Sequence, residues 1–188
     1  MAGLGTKPSA RRLLTGPHRG SVSEKKILWE LFMPSSKIAI EINAPAQATF
    51  DLIHQYDKRL LWDSMLREAR LLDCATVAAQ GVRSRCVGSW KCLWIPIEAI
   101  YVSFKSGKVA AVKMVNRPLF FAEFAATIRH DALDSQSSTV TYIYNFKSKP
   151  RWLAPVFEPV MNAVLAREVR HRLRALKSYA ERLVAEGG

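Results

Sequence analysis

Two periods divide this chain. Between Lys37 and Ile42 the large apolar side chains Ile38, Ile40 and Ile42 alternate with Lys37, Ala39 and Glu41, the signature of a half-buried strand. Asn43-Ala44-Pro45 then opens a helix, with proline suited to a first turn, and Phe50, Ile53 and His54 recur at helical spacing. A second short helix is predicted over Asp57–Trp62. From Met65 the pattern is all strand: Met65–Cys74, a small and polar turn over Ala75–Gly81, then Val82–Gly88. A Trp-rich loop over Trp90–Pro96 leads to Glu98–Lys105, which pairs with Lys108–Asn116 across the two-residue loop Ser106-Gly107. Arg117-Pro118 ends that strand. Phe120–His130 and Thr139–Lys147 form a second hairpin around Leu133–Gln136.

After Lys149-Pro150 the period changes to 3.6. Leu153, Phe157, Val160, Met161, Val164, Leu165, Leu173, Leu176, Ala180 and Leu183 share one stripe, with the arginines assigned to the opposite face. A helix of about 30 residues is about 45 Å long, and only a sheet offers so long an apolar surface to cover. The predicted fold class is therefore α+β: a curved seven-stranded antiparallel sheet wrapped around a long C-terminal helix, with two short helices after the first strand. The domain occupies 36–185. Residues 1–22, rich in Gly, Ser, Pro and Arg, are predicted to be a flexible basic tail, with an organelle transit peptide as the alternative. Ser21 and Glu24 have capping-box spacing before Ile27, Leu28, Leu31 and Phe32, so 23–35 is predicted as a short helix or, alternatively, an added strand.

Composition changes this picture little. The chain has 188 residues, 49% of them hydrophobic, enough for one cored domain. No apolar run approaches the roughly 18–20 residues of a membrane span, and no apolar stretch of a secretory signal follows the N-terminal charges. Three cysteines without a CxxC pair argue against a disulfide framework and a zinc site, so buried inert thiols and a cytoplasmic setting are expected. The net charge of +12 favours anionic partners. It is concentrated in Lys7, Arg11, Arg12 and Arg19 of the tail and in Arg167, Arg170, Arg172, Arg174, Lys177 and Arg182 of the last helix, read as a solvated face. This predicts peripheral contact with anionic membranes through tail and helix, not specific nucleic-acid binding.

Strand parity nominates candidate lining residues. Phe120, Ala122, Phe124, Ala126 and Ile128 share one face of the penultimate strand, and Val140, Tyr142, Tyr144 and Phe146 one face of the last. Phe157, Met161, Val164 and Leu165 face them from the helix. This apolar and aromatic surface fits either a ligand cavity or a filled core. Ala122 and Ala126 are the positions expected to leave space. Trp62 is expected as a packing plug or, alternatively, a ligand stacker. Glu123 should face outward, and Arg83 and Arg85 share a strand face, solvated or able to bind an acidic group. No paired-carboxylate, His-x-x-x-His, Ser-His-Asp or Cys-His arrangement can be assembled, so neither metal nor cofactor is expected. Only Tyr142, Tyr144 and His130, the last at the expected cavity mouth, are candidates for moving a proton.

The order of elements, together with Ile42-Asn43-Ala44-Pro45, Phe50-Asp51-Leu52-Ile53, Trp62-Asp63, Ser138–Tyr142 and Arg172–Glu181, resembles the START-related (SRPBCC) superfamily over roughly 36–184. That superfamily includes polyketide cyclase/dehydrase-like proteins, the birch-pollen allergen group and coenzyme Q-binding proteins. The resemblance implies a helix-grip fold with a cavity between sheet and helix, and puts Asp57, Trp62 and Asp63 near its entrance. Three functions stay open: a carrier of a lipid, quinone or polyketide-like molecule, a cyclase/dehydratase-type enzyme, and a protein-interaction domain using the basic helix face.

Overall fold

A computed structural model describes residues 35–89, 94–118 and 120–187. The predicted tail, almost all of the 23–35 extension, and Trp90 to Leu93 of the Trp-rich loop lie outside these residues. Seven antiparallel strands run β1 (Ser35–Ile42), β2 (Leu66–Leu71), β3 (Arg83–Gly88), β4 (Pro96–Lys105), β5 (Val109–Met114), β6 (Phe121–Ala132) and β7 (Ser138–Ser148). The spatial order is β1-β7-β6-β5-β4-β3-β2, so the first strand returns to pair with the last. Helix α1 (Ala46–His54) follows β1, and α2 (Ala154–Gly187), 34 residues long, ends the fold.

Each element follows from local chemistry. Pro45 holds an extended conformation as the N-cap of α1, whose buried face is Thr49, Phe50, Leu52, Ile53 and His54. The predicted second helix is a single 3-10 turn, Arg59–Leu61. The β4–β5 connection has three residues rather than two, because Lys105 pairs with Val109. Gly107 sits there at φ +67°, a conformation that costs an L side chain roughly 1–2 kcal/mol.

The last hairpin departs from simple alternation. Phe121 pairs with Ser148 but Glu123 with Lys147, so Ala122 is the extra residue of a β-bulge. The bulge turns Phe121 inward and takes Ala122 off the inner face. Beyond it Phe124, Ala126, Ile128 and His130 stand opposite Phe146, Tyr144, Tyr142 and Val140 on the inner face.

Helix α2 has two different halves. Ala166, Val169, Leu173, Leu176 and Ala180 are buried, and Leu173, Leu176 and Ala180 join a core with Ile42, Leu52, Ile53 and Val140. The N-terminal half is not buried along the whole predicted stripe: Val160 and Val164 are 60% and 48% exposed, and Val156 of α2 and Trp152 of the 3-10 turn Arg151–Leu153 before it continue the same row, four residues apart, at 75% and 77%. Pro159 lies inside α2 without ending it. No helix of the described residues is long and apolar enough to cross a membrane.

Candidate functional site

Between the concave sheet and the first half of α2 lies a cavity of about 500 Å³, within the range of small-molecule sites. Its floor comes from six strands: Leu66 of β2, Ser84, Cys86 and Gly88 of β3, Ile97, Ala99 and Tyr101 of β4, Ala110 and Val112 of β5, Phe121, Phe124 and Ile128 of β6, and Tyr142 and Tyr144 of β7. Phe157, Met161, Leu165 and Val169 of α2 roof it. Val164 lines it while about half exposed, which puts the rim there. The rings interlock around the space: Phe120 and Phe157 have centroids 5.3 Å apart, and Phe124 stacks on Tyr144 at 6.4 Å.

Nine of the fourteen residues nominated from sequence line this cavity: Phe120, Phe124, Ile128, Tyr142, Tyr144, Phe157, Met161, Val164 and Leu165. Five do not. Ala122 is displaced by the bulge. Ala126, Val140 and Phe146 are buried within the packed core. Trp62 is also in that core, donating Nε1–H to the Leu52 carbonyl at 3.2 Å, with Arg59 4.7 Å above its ring. The space lies instead beside small residues of the middle strands, Ser84, Ala99 and Ala110. Parity on two strands did not reveal them, because which strands carry the hollow is a property of sheet curvature.

The three candidates for proton transfer do not converge. Tyr144 donates its hydroxyl to Asn162 Oδ1 at 3.2 Å. Tyr142 lines the cavity, its phenol pKa raised by burial. His130 is not at the mouth: it is buried beside α1, with Nδ1 2.9 Å from Thr49 Oγ1 and its ring against Phe50. Burial lowers its pKa to about 4, so it is neutral at physiological pH.

Polar groups that the sequence reading passed over gather on the wall nearest α1. His54 Nδ1 is 2.9 Å from the Tyr101 hydroxyl, which is 3.0 Å from that of Tyr56. Burial, then the charge of Arg59, lowers the His54 pKa to about 3, and burial, then Tyr56, pushes Tyr101 well up. A histidine so reluctant to protonate is a poor general base at pH 7 and serves as a neutral hydrogen-bonding group. Beside it Asp63, fully buried, receives Arg59 Nε at 3.0 Å, while Arg172 Nε lies 2.8 Å from the same carboxylate oxygen. Arg59 also donates to the Ile53 carbonyl. Burial alone would raise the Asp63 pKa, but Arg172 and Arg59 outweigh it and hold the carboxyl below its ordinary value.

Arg172 corrects the assignment of every helix arginine to the solvated face. It lines the cavity. The signal was present: Arg172 is seven residues after Leu165 and four before Leu176, in the middle of the apolar stripe. Likewise Arg59 and Asp63 stand at i, i+4 spacing. Arg83 and Arg85 are ion-paired, Arg83 with Asp73 at 2.7 Å and Arg85 with Glu98 at 2.8 Å. Glu123 pairs with Lys147 at 3.2 Å. The cysteines are not uniformly buried: Cys74 is exposed, Cys86 lines the cavity with its thiol pKa raised by burial, and Cys92 lies outside the described residues. No cluster of metal-ligating side chains occurs among the described residues.

Solved structures share this architecture. An aromatase/cyclase, Zhui, from Streptomyces sp. R1128 superposes with a TM-score of 0.71 at 16% identity, covering 83% of this chain and 99% of its own. A START superfamily protein from Mycobacterium smegmatis gives 0.66 at 12% identity, covering 79% and 98%. Norcoclaurine synthase from Thalictrum flavum, in complex with dopamine and hydroxybenzaldehyde, gives 0.55 at 14% identity, covering 96% and 99%. At these identities the likeness is one of fold. No curated protein matches the sequence. The sequence profile of the family described as polyketide cyclase / dehydrase and lipid transport matches residues 33–181, and with a helix-grip sheet closed over a cavity by one long helix, the chain belongs to that family.

Proposed function

We propose that the protein binds an apolar small molecule, a lipid, quinone or polyketide-like compound, in the cavity and carries it without transforming it. The observation that carries this reading is the hollow itself: about 500 Å³ between sheet and helix, walled by Phe, Tyr, Ile, Val and Met side chains. Burial of a ligand there gains about 25 cal/mol per Å² of apolar surface. The carrier reading is favoured over a cyclase because Tyr142, Tyr144 and His130 do not converge and the histidine on the cavity wall, His54, is held unprotonated by burial. His130 faces Thr49 outside the cavity lining, and Tyr144 is tied to Asn162.

The exposed row runs from Trp152 in the turn before α2 through Val156 and Val160 of the helix to Val164 at the cavity rim, with Arg151 and Arg167 exposed beside it. Such a surface fits transient contact with an anionic bilayer, from which an apolar cargo enters.

Native mass spectrometry of gently purified protein, followed by organic extraction, tests the binding reading. The expected result is a bound apolar molecule that is lost in Val112→Phe, a variant that fills the hollow from β5 while keeping the circular-dichroism spectrum. A protein that emerges empty, and that takes up no apolar fluorescent probe in the wild type, would overturn it.

A further inference from the structure

We propose that Arg172, braced by Asp63 and Arg59, forms an anion subsite in the cavity wall that receives the carboxylate end of an otherwise apolar ligand. This rests on the binding reading above and names the class of molecule that binds.

The inference comes from the unequal sharing of one carboxylate between two guanidinium groups. Asp63 is 1% exposed, and its Oδ2 meets Arg59 Nε at 3.0 Å and Arg172 Nε at 2.8 Å. The trio therefore keeps one positive charge. Arg59 is otherwise satisfied, donating to the Ile53 carbonyl and lying over Trp62. Arg172 is not. Its Nε lies 2.8 Å from Asp63 Oδ2 as an ion pair without an aligned hydrogen bond, and no hydrogen bond joins its Nη groups to another described residue. Its side chain keeps 22% of its surface accessible while lining the cavity.

A guanidinium that leaves its forked edge free in a low-dielectric hollow is matched by a planar, two-oxygen anion. Tyr142 lines the same wall, and its hydroxyl makes no hydrogen bond to a described residue, so a second donor is at hand. Glu168, one turn before Arg172, also lines the cavity. It forms no ion pair with Arg172 within 4.0 Å and is the built-in competitor for the same fork. Phe121, Phe124, Phe157 and Met161 on the rest of the wall offer an apolar tail a surface to cover. Asp63 fixes the guanidinium before the ligand arrives, so less ordering is needed on binding.

The test compares lauric acid with lauryl alcohol, which share a tail and differ in the head, by displacement of an apolar fluorescent probe at pH 8. The expected result is a preference for the acid of about tenfold or more in the wild type. In Arg172→Gln the acid-to-alcohol ratio falls to about one, Arg172→Lys keeps part of it, and Glu168→Gln raises acid affinity. Glu168→Gln removes no buried partner, so it reports on the subsite even if an Arg172 variant folds poorly. If both ligands bind with equal affinity, or if the preference survives Arg172→Gln, the subsite is refuted and the cavity reading stands. If neither ligand displaces the probe, the subsite proposal is refuted along with fatty-chain binding. A probe that never binds refutes the cavity reading itself.

Discussion

Asp63 shows how much one side chain decides. It is fully buried, takes two guanidinium groups and accepts the Met65 backbone N–H at 3.3 Å. Asp63→Asn leaves two buried cations facing each other without a counter-charge, and a loss of about 3–5 kcal/mol in urea unfolding is expected. The buried histidines give a separate signal. The pKa of His54, about 3, and that of His130, about 4, lie below the unfolded value, so the unfolded chain takes up protons that the folded one does not. Stability is therefore full above about pH 6.5 and falls as pH drops toward 4, by about 1.4 kcal/mol per pH unit for each histidine. Arg59 near His54 deepens its shift, and Asp131 near His130 opposes it. Asp63 adds loss in the same direction at lower pH. Urea midpoints at pH 7.5, 6 and 5 should fall in that order, less steeply in His130→Asn; a flat series would contradict the burial of both rings. At this scale the sequence was least legible. Alternation nominates Phe124, Ile128 and Tyr142, but a charged side chain inside an apolar stripe, such as Arg172, points to solvent by its type and to the interior by its position.

Among the elements, α2 does two jobs along one stripe. Its C-terminal half fills the core, where Leu176 is fully buried, and its N-terminal half roofs a void with Met161. Leu176→Ala should cost about 2–5 kcal/mol, since it opens a hole in packed surroundings. Met161→Ala only enlarges an existing one, so its stability loss should be smaller while apolar-probe affinity falls. Equal losses in denaturant titrations would mean that the two halves are packed alike. The 3.6 period after Pro150 announced the helix and its length, because any helix against a sheet must carry a stripe. It did not separate roof from core, because the sequence of a helix does not record how far away its partner lies. The bulge at Ala122 was hidden for a related reason: pairing is settled by two strands together, and β7 fixes where β6 must spend an extra residue.

For the molecule as a whole, the cavity and the exposed row on α2 belong to one arrangement. The half of α2 that stands off from the sheet both leaves the hollow and presents Val156 and Val160 outward, in line with Trp152 of the preceding turn. Co-sedimentation with vesicles of anionic phospholipid should show binding that weakens with salt, and the double change Val156→Glu, Val160→Glu should reduce it at least about tenfold. These side chains are exposed, so folding should be unaffected. Undiminished sedimentation would remove the row from the membrane contact.

The sequence by itself determined the architecture: strand alternation, one hairpin after another, and a long amphipathic helix admit few other arrangements, and these are local periods that a single chain displays. It also determined that aromatic side chains face inward from β6 and β7. Only the tertiary structure decided that the space opens beside Ser84, Ala99 and Ala110, that His130 is buried beside α1, and that Arg172 turns inward to Asp63. Each depends on the curvature of seven strands and the distance of the helix above them, quantities set by the sum of all contacts and written in no single segment.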